Sequence, residues 1–415
     1  MSAAPPSTPA SPIPSPASRM TPSTVIAMLA MLLGLQCVTT DVYLPGLPQI
    51  TQQLSSTPAS TQLTLSALLL SFGISQLFWG PLSDRFGRRP ILLAGLSLYV
   101  LAALGCALAG SMPVLVAWRI VQGIAMGAGV MAARAIVRDL FTPAAGMQAM
   151  SKALTGLGVL ACSSPLVGSV LVNHLGWRAT MVAVALFGAA CLWLVATRYQ
   201  ESLPENRRNP VRLGHLGKTW HAIVRNRTFL AYSATTSCSY AVLFTFLAAS
   251  SFTFTGVLGW STSEVGILLG VNGAFYIAGT LLCRRMLRRM GVQHAVAIAG
   301  GMAVVAASAM VIMASFQVRN GLAYALPFLL YMVSHGIQQP CGQSGAVSAF
   351  PHAAGTAAAL NGFLMMLVAY TMGSWLGAHL DDTVWPLVLG VAFWAFGAAL
   401  ASWTLVARWG QPSRD

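Results

Sequence analysis

The chain has 415 residues, 56% of them hydrophobic and only 8% charged, with a formal net charge of +14. A water-soluble domain carries about 25% charged residues, so this composition excludes a protein covered in water. In a soluble chain such a charge would point to nucleic acid. Here the basic residues stand in short stretches between apolar runs, so the charge is a topology signal and no nucleic-acid partner is expected.

Residues 1–20 are rich in Pro, Ser and Ala. They cannot bury a core and read as a disordered cytoplasmic tail, without the order of a signal peptide. Twelve apolar runs follow, centred on residues 24–48, 60–79, 90–109, 113–134, 147–172, 179–197, 228–252, 264–283, 295–315, 322–348, 356–379 and 384–406. Crossing a hydrocarbon layer ~30 Å thick takes roughly 20 helical residues. The expected fold is an all-α membrane protein of twelve transmembrane helices in two six-helix halves, 21–198 and 227–407. A polar stretch, 199–226, with Pro204 and Pro210, reads as a cytoplasmic linker, and 408–415 as a second cytoplasmic tail. Arg85, Arg88, Arg89, Arg138, Arg198, Arg284, Arg285, Arg288 and Arg289 fall on one side of this layout. Arg178 and Arg319 fall on the other. That bias places both termini in the cytoplasm.

Span one ends in Thr40-Asp41-Val42-Tyr43-Leu44-Pro45-Gly46-Leu47-Pro48. Asp41 is the one carboxylate placed well inside a span; Asp139, Glu264 and Asp381 fall at ends. Between spans two and three lies Gly80-Pro81-Leu82-Ser83-Asp84-Arg85-Phe86-Gly87-Arg88-Arg89, a short basic turn framed by two glycines. Span four carries Arg119-Ile120-Val121-Gln122-Gly123 and ends at Arg138-Asp139. A charged residue inside a span is costly and normally faces a cavity or a partner; snorkelling to the nearby surface is the other reading of Arg119. Asp41 lies about seven residues before the outer end of its span, and Arg119 six residues after the start of its own. At 1.5 Å per residue both sit roughly 9–10 Å deep, so the two are expected to meet.

Span five holds Gly156, Gly158, Pro165 and Gly168, small residues that let helices approach closely. In span seven Tyr232, Thr236, Tyr240 and Phe244 repeat every four residues, as do Tyr331, His335 and Gln339 in span ten. Such stripes share a helix face and serve equally as walls of a substrate cavity or as packing surfaces. A lone His within a span, His335, is also a candidate proton carrier. The basic cluster 283–290 looks like a decayed copy of the first turn, with Gly279 and Gly291 beside it. The seven cysteines, Cys37, Cys106, Cys162, Cys191, Cys238, Cys283 and Cys341, form no C-x-x-C and read as small apolar residues. No phosphate loop, nucleophile–base pair or metal-ligating cluster stands out, so neither an enzyme nor a cofactor or metal is expected.

The turn at Gly80–Arg89 resembles the G-x-L-a-D-R-x-G-R-[KR] signature of the major facilitator superfamily, with Ser83 where Ala is more usual. Arg119–Gly123 resembles that family's R-x-x-Q-G pattern, and Gly156–Gly168 its drug-antiporter motif, with Ser164 in place of a Gly. Thr40–Pro48 resembles the T-D-x-Y-L-P-x-L-P of the Bcr/CflA drug-resistance subfamily. The resemblance implies a monomeric exporter of a small amphiphilic compound in exchange for protons, held in the lipid of a bacterial inner membrane. A metabolite exporter or a proton-coupled symporter of the same fold are the alternatives.

It further implies roles. Gly80, Asp84, Arg85, Gly87, Arg88 and Asp139 would form a cytoplasmic gate, with Asp84 at the start of span eleven near Gly355–Thr356 and Arg88 on Asp139. Asp41 and Arg119 would couple protons. Spans one, four, seven and ten would line a cavity with Tyr43, Gln122, Tyr240, Phe244, Tyr331, His335 and Gln339.

Overall fold

The computed structural model describes residues 20–208 and 213–410, and every regular element among them is helical. Of the two expected tails, residues 1–19 and 411–415 lie outside the described residues, and 408 and 409 are helical, continuing the last span. The spanning helices are α1 (Pro22–Asp41), α2 (Pro58–Phe86), α3 (Arg88–Ala107), α4 (Met112–Leu140), α5 (Pro143–Leu175) and α6 (Trp177–Arg198) in the first half. In the second half come α7 (Arg227–Phe252), α8 and α9 (the two parts of Thr262–Ser315), α10 (Leu322–Ser348), α11 (Ala354–His379) and α12 (Trp385–Leu400).

Local chemistry starts these helices where the sequence changes from polar to apolar. Thr21, Thr57 and Asn226 each accept a hydrogen bond from a first-turn amide of α1, α2 and α7. Ser261 and Glu264 form a reciprocal capping box at α8. Prolines occupy the first turns of α1, α2, α4, α5 and α12, where a missing N–H costs nothing.

Ten helices are long and apolar enough to cross a membrane by composition alone. Two features separate that number from twelve. The 54-residue helix Thr262–Ser315 is broken at Gly291, whose backbone (φ 76, ψ 177) no helix contains, so it supplies α8 and α9. And α10 is made more polar by Ser334, His335, Gln338 and Gln339, all buried. Gly87 (φ 98, ψ 160) divides α2 from α3 in the same backbone region, which is open only to glycine. The two halves thus turn on the same device. Gly279, the other glycine beside the second basic cluster, does something different. A Cβ there would meet the Val333 carbonyl oxygen at 2.3 Å, so it lets α8 and α10 touch backbone to backbone.

The described part of 199–226 is more than a bare linker. It contains a helix, Leu213–Arg225, whose Ile223 is fully buried and whose Trp220 meets Phe78 of α2 edge to face at 6.4 Å.

The halves touch along α2–α11 and α5–α8, and through the segment Leu44–Gln53, which follows α1 and meets α7. Gly73 of α2 packs on Met366, and Gly377 of α11 on Ala59. The hydrogen bonds that cross between the halves, among the described residues, run from Gln62 Nε2 to the Ala248 carbonyl (2.6 Å), Ser251 to the Leu44 carbonyl (2.8 Å), Asn173 to Ser263 (2.9 Å) and Gln36 to Tyr240 (3.2 Å). The first three lie at the face opposite the termini and the last at mid-depth. Among the described residues, these hydrogen bonds gather at the face away from the termini and at mid-depth, and apolar contacts such as Leu77 against the second half join the halves toward the face that carries Gly87 and Gly291.

Candidate functional site

Three clusters of polar side chains lie within this apolar frame. The first is the turn at Gly87. Arg88, almost fully buried, donates from Nε to Asp139 Oδ2 at 2.9 Å and from Nη1 to Ser83 at 3.0 Å. Its Nη1 also lies 2.7 Å from Asp84 Oδ1, one turn back. The expected Arg88–Asp139 pair is present, and Ser83, the departure from the usual motif, supplies an acceptor. Asp84 does not reach α11, contrary to expectation. That helix opens at Ala354 with no side-chain cap, and space around Gly355 is empty. The reason is local: Arg88, four residues on, is the cation within reach of Asp84. Arg85 lies over Phe86 at 5.1 Å. Gly80 lies 3.7 Å, as measured from a Cβ built on it, from Met131.

Sequence reasoning missed Glu201. Its carboxylate accepts from the backbone N–H groups of Arg88 (2.9 Å) and Arg89 (3.0 Å), the free first-turn donors of α3. Gly87 makes room, since a Cβ there would lie 2.4 Å from Glu201 Oε2. Ser202 donates to Asp139 at 3.2 Å and pairs with the Tyr199 hydroxyl at 2.7 Å. Burial pushes the Tyr199 hydroxyl up from its ordinary value, against the opposing pull of Ser202, so it stays a neutral partner.

The second cluster surrounds Arg119, which is 0% exposed. Its guanidinium sits 4.1 Å from the Tyr43 ring centroid and donates to Gln122 Oε1 at 2.8 Å and to the Thr39 carbonyl at 3.4 Å. No carboxylate lies within ion-pair distance among the described residues. Tyr43 is fully buried, its hydroxyl on Thr64 at 2.8 Å. Arg119, Gln122 and Tyr43 therefore pack together inside the first half, and Tyr43 and Gln122 do not form a cavity wall.

The third cluster lies where the halves meet. Asp41 closes α1, half-buried, with its carboxylate hydrogen-bonded to Thr40 at 2.7 Å. It stands in electrostatic reach of Cys37 and Tyr240, and Cys37 in reach of Cys162 and Tyr276. Gln36 donates to the Tyr240 hydroxyl from the same helix. The expected meeting of Asp41 with Arg119 does not occur. Thr39 points its hydroxyl at Tyr99 within the first half. Asp41, two residues on, is turned about 200° round the helix, toward the second half. Equal depth put the two at one level but on opposite sides of α1.

Across from Asp41, His335 Nδ1 pairs with Ser239 at 2.9 Å, and its ring lies 5.6 Å from that of Tyr276. Tyr331 bonds Ser239 and packs on Phe328. Phe244 packs against α11 at Gly373. Of the two stripes, only Tyr240 is less than fully covered and faces the other half; Phe244, Tyr331, His335 and Gln339 are buried within their own. Gln339 Oε1 and both polar atoms of Gln338 and of Asn272 find no partner. Gln36, Cys37, Cys162 and Tyr276 were not singled out from sequence; only Tyr276 carried a signal, four residues after Asn272 on one face of α8.

The small residues of α5 serve close packing. Gly156 faces Ala30, Gly168 the Val42 carbonyl, and the Pro165 carbonyl lies against Gly266 of α8. This helix is the wedge between α1 and the second half.

Residues 28–374 match the model of the Major Facilitator Superfamily. The chain belongs to the major facilitator superfamily. It is a multi-pass membrane transporter of that family. It is 30% identical over 371 residues to the uncharacterized MFS-type transporter YdgK of Bacillus subtilis, covering 86% of this chain and 90% of that one. It is 30% identical to Multidrug resistance protein D of Escherichia coli (86% and 89% covered). The bicyclomycin resistance protein homolog of Haemophilus influenzae is 27% identical (89% and 92% covered). The resemblance to Bcr/CflA-type transporters thus extends over most of the chain. Among solved structures, a D-xylose-proton symporter matches with TM-score 0.73 at 20% identity, covering 95% of this chain and all of that one. At that identity it speaks for the fold alone.

Proposed function

We propose that this transporter exports a small amphiphilic drug from a bacterial cytoplasm in exchange for protons, by alternating access across the inner membrane. The protein would act as a monomer whose two halves, 21–198 and 227–407, rock about the central site, joined by 199–226. The relatives named for drug and bicyclomycin resistance support the substrate class, and the basic bias supports cytoplasmic termini. In that orientation the hydrogen bonds at the outer face, and the pairing of Asp84 with Arg88 in place of α11, support an inward-facing state.

The observation that carries the reading is the placement of Asp41. It is the lone carboxylate near the middle of the span Pro22–Gln53, at the point where α1 gives way to the segment Leu44–Gln53, it faces the interface between the halves, and no cation pairs with it among the described residues. Such a carboxylate responds to its surroundings, since low dielectric favours its neutral form and water its charged one. Exposed outward, Asp41 takes a proton as drug leaves. Exposed inward, it gives the proton up as drug binds beside Tyr240. Arg119 acts as a positioning residue, fixing the Thr39 carbonyl two residues before Asp41. Closing the inner face would return Asp84 to the amides of α11.

The test is accumulation of labelled chloramphenicol, bicyclomycin and a sulfonamide in cells with and without the chain. The proposal expects less label in expressing cells for at least one compound, and loss of the difference with an uncoupler. More label inside would identify an uptake symporter. No difference across a panel that also includes nucleosides would overturn drug export.

A further inference from the structure

Cys283 of α8 and Cys341 of α10 lie far apart in sequence, yet their sulfurs are 3.5 Å apart. Both thiols are free and each is 3% exposed. The helices that carry them are already in backbone contact one to two turns away. A Cβ on Gly279 would meet the Val333 carbonyl at 2.3 Å, and one on Gly336 the Tyr276 carbonyl at 2.4 Å. We propose that Cys283 and Cys341 are a redox-active pair, oxidised by hydrogen peroxide to a reversible disulfide that pins α8 to α10.

Three features support this over a packing role. The sulfurs stand 3.5 Å apart against a disulfide length of about 2 Å, and the two glycines hold the helix backbones close on the same side. Access is provided from one side: Cys341 lines a cavity of about 600 Å³ at the face of the termini, with Pro340, Tyr232, Met290 and His294 also in its wall. And no His, Cys, Asp or Glu joins the pair to make a three-ligand metal set among the described residues. Two thiols alone suit oxidation better than metal binding.

The chemistry balances with one peroxide. The Cys283 sulfur, as its thiolate, attacks one peroxide oxygen. The O–O bond breaks, leaving a sulfenic acid on Cys283, and the departing hydroxide takes up the Cys283 proton as water. The Cys341 sulfur then attacks the sulfenic sulfur. The S–O bond breaks, the S–S bond forms, and the second water leaves with the Cys341 proton. Two thiols lose two electrons and one peroxide becomes two waters.

The position gives the bond a mechanical consequence. Pro340 immediately precedes Cys341 inside α10, and a helix-interior proline lacks one backbone hydrogen bond and eases bending there. The end of α10 beyond that point, with α8 and α9, encloses the cavity. A disulfide at Cys341 fixes that end to α8 and stops it bending independently.

The test uses the full chain in native membranes. It is treated with hydrogen peroxide, remaining thiols are blocked with N-ethylmaleimide, and the peptides are mapped by mass spectrometry. The expected result is a linked Cys283–Cys341 peptide pair, absent without peroxide and lost after dithiothreitol. In Cys283→Ser, Cys341 should instead be recovered unlinked. Recovery of both cysteines as N-ethylmaleimide adducts after peroxide would overturn the proposal, as would sulfinic acids with no linked pair. Neither readout depends on the transported compound.

Discussion

Asp41 and Arg119 sit at similar depth on neighbouring helices, yet their surroundings are opposite. Arg119 is sealed within one half, with a ring face, an amide oxygen and a backbone carbonyl as partners. Asp41 has a neighbouring hydroxyl and a view of the other half. A charge whose surroundings belong to one rigid body keeps the same environment through a rocking cycle. A charge at the seam between two bodies has its environment changed by every cycle. The difference separates a structural ion from a candidate for coupling, although sequence reasoning had paired them.

That contrast is broken most directly by substitution. Asp41→Asn should reduce uncoupler-sensitive export to the level of membranes without the chain, while the amount of folded protein stays unchanged. Wild-type export from this variant would move the proton elsewhere, with His335 next to examine. Arg119→Ala should show the reverse order of effects. It removes a desolvated cation–π contact and leaves the Gln122 amide and Thr39 carbonyl unmatched, a cost on the order of 2–4 kcal/mol. A fall in melting temperature and in folded yield is the measurement. An Arg119→Ala protein as stable as wild type, but uncoupled, would restore the direct role first expected of it.

A smaller effect separates the two turning glycines. Gly87→Ala and Gly291→Ala share a backbone strain of roughly 1–3 kcal/mol. Only the first also drives a methyl into Glu201, whereas space around Gly291 is open. Gly87→Ala should therefore be the less stable of the two in a thermal scan, and the gap should narrow in a Glu201→Ala background. The smallest effect is one of access. A single cysteine at Tyr240 should react with a water-soluble thiol reagent, and one at Phe244 or Tyr331 should not. Equal reactivity at all three would mean that the stripes line water after all.

The sequence revealed the spans because each needs an unbroken apolar run, and the basic cluster 283–290 already separated the runs that Gly291 divides. The Arg88–Asp139 pair was legible only through the resemblance of 80–89 to a known signature. Glu201 was not legible: it acts on amides more than a hundred positions away, and nothing local marks an acid that caps a distant helix. The helix Leu213–Arg225 did have a local signal in the spacing of Leu213, Leu216, Trp220 and Ile223, obscured by the prolines before it. Depth along a span can be counted in residues, which placed Asp41 and Arg119 at one level. Which side of a helix a residue faces depends on its neighbours, and so the pairing failed. The same limit applies to Tyr43, Gln122 and the stripes of α7 and α10: period four fixes a face, but not what that face meets.

The central claim is that Asp41 carries the exchanged proton. Inverted membrane vesicles holding an imposed pH gradient, followed with a pH-sensitive dye, test it when the compound identified by the accumulation assay is added. Wild-type vesicles should lose part of the gradient on each addition, and Asp41→Asn vesicles should hold it while still binding the compound. Dissipation of the gradient by Asp41→Asn at the wild-type rate would contradict the account.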